Sequence, residues 1–264
     1  MTTIGDLSSL KGKTALVTGA AGHLGRVICD ALAELGADLI AVDRKGSALD
    51  EVAASVEKQG KTRCVAMFCD LEADADRAAL IAEAAKKPLH VLVNNAAFVG
   101  TSELQGWGTT FEKQTVDTWR RALEVNLTSV FDLCKGLNPA LRDGKGSIIN
   151  VASIYGALGP DWSLYAGTAM SNPAAYAASK GGLIQLSRWL ATTLAPDVRV
   201  NTISPGGIAR GQPESFVAQY TARTPLKRMM TEDDVKGAVA FLASGLSGYV
   251  TGQNIFIDGG WSSW

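Results

Sequence analysis

At 264 residues, with 47% hydrophobic and 19% charged side chains, the chain can bury one large core without dividing into domains. A net charge of -1 offers no general attraction for nucleic acid or an anionic membrane, and no apolar run is long enough to span a bilayer. The four cysteines (Cys29, Cys64, Cys69, Cys134) lack metal-ligand spacing, Cys64 and Cys69 fall on opposite faces of one predicted strand, and Met1 to Lys11 carries no basic-then-apolar leader. The expectation is a reduced cytoplasmic protein with no metal.

The first predicted strand, Lys13 to Gly19, is a short apolar run. Ala20-Ala21-Gly22-His23-Leu24-Gly25 follows, and then Val27, Ile28, Ala31, Leu32 and Leu35 recur at helical spacing until Gly36. Between a strand and a helix, glycines at 19, 22 and 25 allow a tight turn, close approach of backbone to a pyrophosphate, and close helix–strand packing. The free N–H groups of the helix start then face the phosphates. His23 is a residue of this loop with nothing nearby to make it a catalyst. The second strand, Leu39 to Asp43, ends in a carboxylate eighteen residues after Gly25, placed to accept both hydroxyls of an adenosine ribose and repel a 2′-phosphate. That favours NAD over NADP, although Arg44 next to it can also meet a phosphate.

A helix over Ser47 to Lys58, a strand over Cys64 to Asp70, a helix from about Ala75 to Lys86 and a strand over Leu89 to Ala97 continue the alternation, which implies βαβ units and a parallel sheet. Asp70 lies at a strand's carboxyl end, where such sheets bind ligands, whereas His90 starts a strand on the far side. Phe98 to Thr115 is a loop with Gly100, Gly106 and Gly108, in which Trp107 and Phe111 cover the core. Val116 to Leu137 reads as one long helix with Trp119, Leu123, Leu127, Val130, Phe131 and Cys134 on its apolar stripe. Asn126 in its middle is a poor helix former and needs a reason, at minimum an amide bonded to neighbouring backbone.

A buried strand then ends at Ser153, and Ile154 to Pro173 is a glycine- and proline-rich loop. The next helix carries Tyr176, Leu183, Leu186, Trp189 and Leu190. Tyr176 and Lys180, four apart, share a helix face. An ammonium held close to a phenol lowers its pKa, and the tuned phenol can exchange a proton with a carbonyl or alcohol oxygen that the Ser153 hydroxyl also holds. A sixth strand, Val198 to Pro205, leads into a stretch from Ile208 to Met230 that looks mobile. A helix over Glu232 to Ala243 capped by Thr231 and a strand over Asn254 to Asp258 end the fold.

Together these pieces resemble the short-chain dehydrogenases/reductases over nearly the whole chain: Thr18-Gly19-x-x-Gly22-x-x-Gly25, Asp43, Cys69-Asp70-Leu71, Asn94-Asn95-Ala96, Asn126, Ser153, Tyr176-x-x-x-Lys180, Ser204-Pro205-Gly206, Thr251-Gly252-Gln253 and Asp258-Gly259-Gly260. The resemblance implies an α/β, single-domain Rossmann-type doubly wound fold over residues 1–264, with a mostly parallel seven-stranded sheet, helices on both faces and substrate loops at about 154–173 and 207–230. It implies hydride transfer between a nicotinamide and a secondary alcohol or ketone of a small molecule. Tyr176 is then the general acid/base, and Lys180 lowers its pKa and binds the nicotinamide ribose. Ser153 holds the substrate oxygen, and Asn126 anchors a water. The implied cofactor surface comprises Gly19, Gly22, His23, Leu24, Gly25, Asp43, Arg44, Asp70, Leu71, Asn94, Asn95, Ala96, Tyr176, Lys180, Pro205, Gly206 and Ile208.

The chain departs from the family at several points. Its glycine spacing is that of the longer sugar-nucleotide-modifying branch, with His23 where the short branch has glycine. Ala97 replaces a usual glycine. The stretch between Ser153 and Tyr176 is longer than usual, and its Asp161, Trp162, Tyr165 and Thr168 are expected to shape the substrate pocket. No threonine for the carboxamide is evident after Pro205-Gly206, leaving backbone near Ile208 for that task. A narrower resemblance, through Ser153 to Gly156, Tyr165-x-Gly167-Thr168, Gln212-Pro213 and Gly259-Gly260-Trp261, is to a flagellin-modification-type subgroup of bacterial surface-sugar synthesis, implying a sugar-type substrate. The alternatives are a redox-neutral epimerase or dehydratase holding NAD, and a non-catalytic NAD-binding sensor. The family's habit implies a homotetramer.

Overall fold

The computed structural model describes residues 1–60, 62–99 and 104–264, so Gly100 of the predicted loop lies outside the described residues. Seven strands form one sheet: β1 (Thr14–Thr18), β2 (Asp38–Asp43), β3 (Cys64–Phe68), β4 (Val91–Asn94), β5 (Ser147–Val151), β6 (Arg199–Pro205) and β7 (Asn254–Ile257). Their order is β3-β2-β1-β4-β5-β6-β7, and every neighbouring pair is parallel. The order turns back between β1 and β4, and at such a switch the strands' carboxyl ends open a crevice.

Period-two alternation divides the core into two layers. Ala15, Val17, Leu39, Ala41, Val91 and Val93 face one side. There they pack with Ile28 and Leu32 of α2 (His23–Glu34), Val52 and Val56 of α3 (Leu49–Gly60), and Val239 and Leu242 of α10 (Lys236–Ala243). Leu16, Val42, Leu92, Ile148 and Val200 face the other. Their partners are Leu80 of α4 (Asp74–Ala84), Val130 and Leu133 of α6 (Ser129–Gly136), and Leu183, Ile184 and Leu190 of α8 (Ala174–Leu194). The expected doubly wound arrangement is present, with a sheet that is wholly parallel.

Several local expectations are corrected. Short helices α1 (Ile4–Ser8), α7 (Asn138–Asp143) and α9 (Glu214–Arg223) were not foreseen. The long helix predicted over Val116 to Leu137 is three pieces: α5 (Val116–Leu123), a π-helical turn (Glu124–Thr128) and α6. The extra residue of a π turn moves the apolar periodicity out of step, so Trp119 and Phe131 are exposed while Val130 and Cys134 stay buried. Trp189 of α8 is also exposed. Trp107 covers the core, but Phe111 points outward. The stretch Ile208 to Met230 is not loose: α9 lies within it, Ile208 bridges to Met230, and the Gly207 N–H donates to the Tyr220 hydroxyl at 2.6 Å. Glu232–Val235 is a 3-10 turn with the Thr231/Asp234 capping box, and only Lys236–Ala243 is α-helical. All four cysteines are buried free thiols.

Candidate active site

Nearly all the residues implied by the resemblance converge on one cleft of about 620 Å³ at the carboxyl ends of the strands. The glycine turn forms its floor. Gly19 has φ +66°, and a Cβ there would lie 2.8 Å from the Ala96 Cα; a Cβ at Gly25 would lie 2.0 Å from the Gly19 carbonyl oxygen. Neither position accepts a side chain without moving backbone. Thr18 and Asn95 lock the turn to the end of β4: the Asn95 amide donates to the Thr18 and Gly19 carbonyls at 2.9 and 3.1 Å, and the Thr18 hydroxyl accepts from the Asn95 and Ala96 N–H groups. Gly22, the N-cap of α2, supplies no side-chain cap, so the first N–H groups of that helix remain for a ligand.

Asp43 closes one end of the cleft. Its carboxylate accepts from the Ala21 N–H at 2.9 Å and the Arg44 N–H at 2.8 Å. A carboxylate has about four acceptor positions, so lone pairs remain for two ribose hydroxyls. Arg44 is exposed beyond it. Asp70 and Leu71 follow on the same wall, beside Glu72, which the sequence did not flag and which takes both ends of the Arg121 fork at 2.8 and 2.9 Å. This carved glycine floor, uncapped helix start and carboxylate wall fit a dinucleotide. Among the described residues no group of three or more His, Cys, Asp and Glu is placed to hold a metal ion.

At the other end stand Ser153, Tyr176 and Lys180. Ser153 follows β5 with φ -165° and ψ 157°, and its Oγ accepts the Tyr155 N–H at 3.2 Å. Burial pushes the Tyr176 phenol above its ordinary 10.0, and a hydrogen bond with Ser153 pulls the other way. Lys180 is 2% exposed and donates to the Val151 carbonyl at 2.7 Å. Burial lowers its pKa to about 8, and its Nζ lies 5.8 Å from the centre of the Tyr176 ring. Burial outweighs the expected help of the ammonium: the phenol is raised, and Lys180 faces a carbonyl.

Two of the implied residues lie behind the cleft. Asn94 is buried and donates to the Asn150 Oδ1 at 2.8 Å, and Asn150 donates in turn to the Ser187 hydroxyl at 2.8 Å. Asn126 sits in the π turn. Its Oδ1 accepts the Phe98 N–H at 2.6 Å and its Nδ2 donates to the Ser179 hydroxyl at 3.0 Å, the backbone-bonded arrangement the sequence allowed. Pro205, Gly206 and Ile208 line the reacting end, together with Arg210, which sequence reasoning passed over.

A protein-family model described as enoyl-(acyl carrier protein) reductase matches residues 19–262. Galactitol 2-dehydrogenase (L-tagatose-forming) of Cereibacter sphaeroides is 35% identical over 268 aligned positions, covering 97% of each chain. The chain belongs to the short-chain dehydrogenase/reductase family. Among solved structures, NAD+-bound xylitol dehydrogenase superposes with a TM-score of 0.83 at 29% identity over 95% of this chain and 99% of its own. The RhlG/NADP active-site complex of Pseudomonas aeruginosa does so with 0.83 at 29% over 97% and 98%. This short-chain dehydrogenase is thus an oxidoreductase of CH–OH groups that takes a nicotinamide dinucleotide and a small-molecule substrate.

Proposed function

We propose that this enzyme is a NAD-preferring dehydrogenase of a secondary alcohol on a polyol or sugar-derived molecule, acting also in reverse on the ketone. The observation that carries the reading is the Ser153–Tyr176 hydroxyl pair above buried Lys180, in the same cleft whose far wall is the Asp43 carboxylate. Asp43 supports the NAD preference, because a carboxylate at this place repels a 2′-phosphate. The substrate class is supported by relatives named for galactitol and xylitol and by the narrower sequence resemblance.

Gly19, Gly22 and Gly25 hold the pyrophosphate of the cofactor, Asp43 the adenosine ribose, and Pro205 to Ile208 the nicotinamide end. When bound, the dinucleotide supplies the hydride acceptor or donor. The protein's own part is position and a proton. Ser153 donates to the substrate oxygen. Tyr176 removes the hydroxyl proton during oxidation and returns it during reduction. Lys180, the ammonium under the ring, favours the phenolate once the cleft is filled. Asn126 holds the π turn against Phe98 and α8, and the water assigned to it belongs to the path that carries the proton away. The whole chain acts as one catalytic domain with substrate loops at about 154–173 and 207–230. We propose a cytoplasmic homotetramer, for which exposed Trp119, Phe131 and Trp189 on α5, α6 and α8 offer apolar surface.

The test is nicotinamide oxidation and reduction, with NAD and NADP in parallel, across simple secondary alcohols, polyols, sugars and sugar phosphates, with Tyr176→Phe as the blank. Turnover that vanishes in Tyr176→Phe while NADH still binds is the expected result. Turnover retained by Tyr176→Phe would remove the proposed acid/base, and tight NAD binding without net oxidation or reduction would favour redox-neutral or non-catalytic use.

A further inference from the structure

Arg210 lines the same cleft as His23 and Leu24 of the glycine turn and as Tyr176, and its charge favours the Tyr176 phenolate. Its Nε donates to the Glu232 carboxylate at 2.9 Å, and that carboxylate also lies in the field of His23, at the start of α2. The loop presenting it is fixed: the Arg210 N–H donates to the Gln212 Oε1 at 2.7 Å, the Gln212 amide to the Ile208 carbonyl at 2.6 Å, and the Ala209 N–H to the Met230 carbonyl at 2.9 Å.

A guanidinium has five N–H donors, and among the described residues only the Nε of the Arg210 guanidinium meets a partner. The other cations of the cleft are differently employed. Arg121 gives its fork to Glu72, Lys180 is turned to the Val151 carbonyl, Arg26 of the first turn of α2 donates through its Nε to the Ala21 carbonyl at 3.0 Å, and Arg44 stands beside Asp43 at the ribose end. This leaves the terminal N–H groups of Arg210 as donors from the Pro205–Arg210 segment that can meet a pyrophosphate held by the glycine turn, and Glu232, the partner of its Nε, would repel that anion unless masked.

We propose that Arg210 is a clasp for the cofactor's pyrophosphate: its Nε stays on Glu232 and its terminal N–H groups close over the phosphate oxygens held by the glycine turn. The proposal rests on the dinucleotide-enzyme reading above. It assigns Glu232 a second part, as the carboxylate that orients the guanidinium and makes its loss doubly harmful. The same cation could instead read a carboxylate on the substrate, and the experiment separates the two sources of anion.

Dissociation constants for NADH (by fluorescence), ADP-ribose and AMP (by calorimetry) are measured for wild type, Arg210→Gln, Arg210→Lys and Arg210→Gln with Glu232→Gln. Arg210→Gln is expected to weaken NADH and ADP-ribose by at least about tenfold and AMP by less than about twofold. Arg210→Lys recovers little, because a point charge replaces a fork. Adding Glu232→Gln to Arg210→Gln recovers part of the loss, a rescue that a merely structural arginine would not give. Equal weakening of AMP overturns the clasp, as does an unchanged ADP-ribose affinity. So does unchanged dinucleotide affinity with a raised KM confined to hydroxy acids over uncharged polyols, which assigns Arg210 to a substrate carboxylate. Wild type that binds neither NADH nor ADP-ribose would instead sink the dinucleotide reading itself.

Discussion

Replacing Lys180 by methionine should make the protein more stable while destroying its activity. Lys180 is among the largest fully buried side chains, and among the described residues its ammonium has one hydrogen-bond partner, the Val151 carbonyl at 2.7 Å. Burial brings its pKa from 10.5 to about 8, which corresponds to about 3 kcal/mol against the charged form. Methionine follows the same unbranched path, removes that penalty and loses one charge-assisted hydrogen bond, about 1.5–3 kcal/mol. The net gain is up to about 1.5 kcal/mol near pH 7, at roughly 2–4 °C in Tm for each kcal/mol. The folded-state pKa lies below the unfolded one, so the penalty on wild type is fully present below pH 8 and disappears as pH rises to 10.5. Urea unfolding of both proteins between pH 6.5 and 10.5 reads the difference directly. The advantage of Lys180→Met should shrink across that window and end in favour of wild type. A variant less stable at pH 7, with a gap that does not change up to pH 10.5, would show that the buried ammonium is fully compensated and the reasoning wrong.

Asp43→Ala should lower the NAD-to-NADP ratio of kcat/KM by about tenfold or more. The ratio is the informative quantity, since losing the Ala21 bond loosens the turn for both cofactors; an unchanged ratio would show that Asp43 does not read the ribose. Gly25→Ala should lower stability by about 1–3 kcal/mol and abolish NADH fluorescence enhancement, because its Cβ would meet the Gly19 carbonyl at 2.0 Å and the strain exceeds alanine's helix-propensity gain of about 1 kcal/mol. A variant with wild-type melting and affinity would contradict the close packing described. Arg223→Ala should raise the substrate KM several-fold with NADH affinity unchanged. Arg223 pairs with Asp161 of the 154–173 loop and lies 4.6 Å over the Trp261 ring, yet it is 40% exposed, so the Tm should fall by only a few degrees. Equal losses for cofactor and substrate would mean that it supports the whole fold.

The dinucleotide half was legible because its signals are local. A short apolar run, a glycine turn and a helical stripe sit within about one βαβ unit, and Asp43 ends the next strand. Ser153, Tyr176 and Lys180 were legible as a spacing joined to that motif. What escaped depends on long-range packing. Trp119 and Phe131 were put on a buried stripe because nothing in the residues from Val116 to Leu137 marks a π turn, except Asn126, whose bonds to Phe98 and Ser179 lie far away in sequence. Helix α9 was hidden because Phe216 and Tyr220 become ordered against Leu164, Met229 and Trp261, none of them in its own segment. The place of Asn94 escaped for a similar reason: the triplet Asn94-Asn95-Ala96 is contiguous, but β4 ends within it, turning Asn94 into the core toward Asn150 while Asn95 faces the glycine turn.

The cluster around Trp261 has a bearing on how such enzymes diversify. Ile154, Leu164, Phe216, Tyr220, Met229 and Trp261 form a hydrophobic unit distinct from the two layers that flank the sheet. The stacked rings of Phe216, Tyr220 and Trp261 run through it, and Tyr155 and Tyr165 join hydroxyls at 2.7 Å along its edge. That unit packs the two proposed substrate loops and α9 against one another, apart from the sheet and its glycine turn. If the loops at 154–173 and 207–230 do hold the substrate, changes confined to these positions should alter substrate KM while leaving NADH affinity, which depends on the glycine turn, in place.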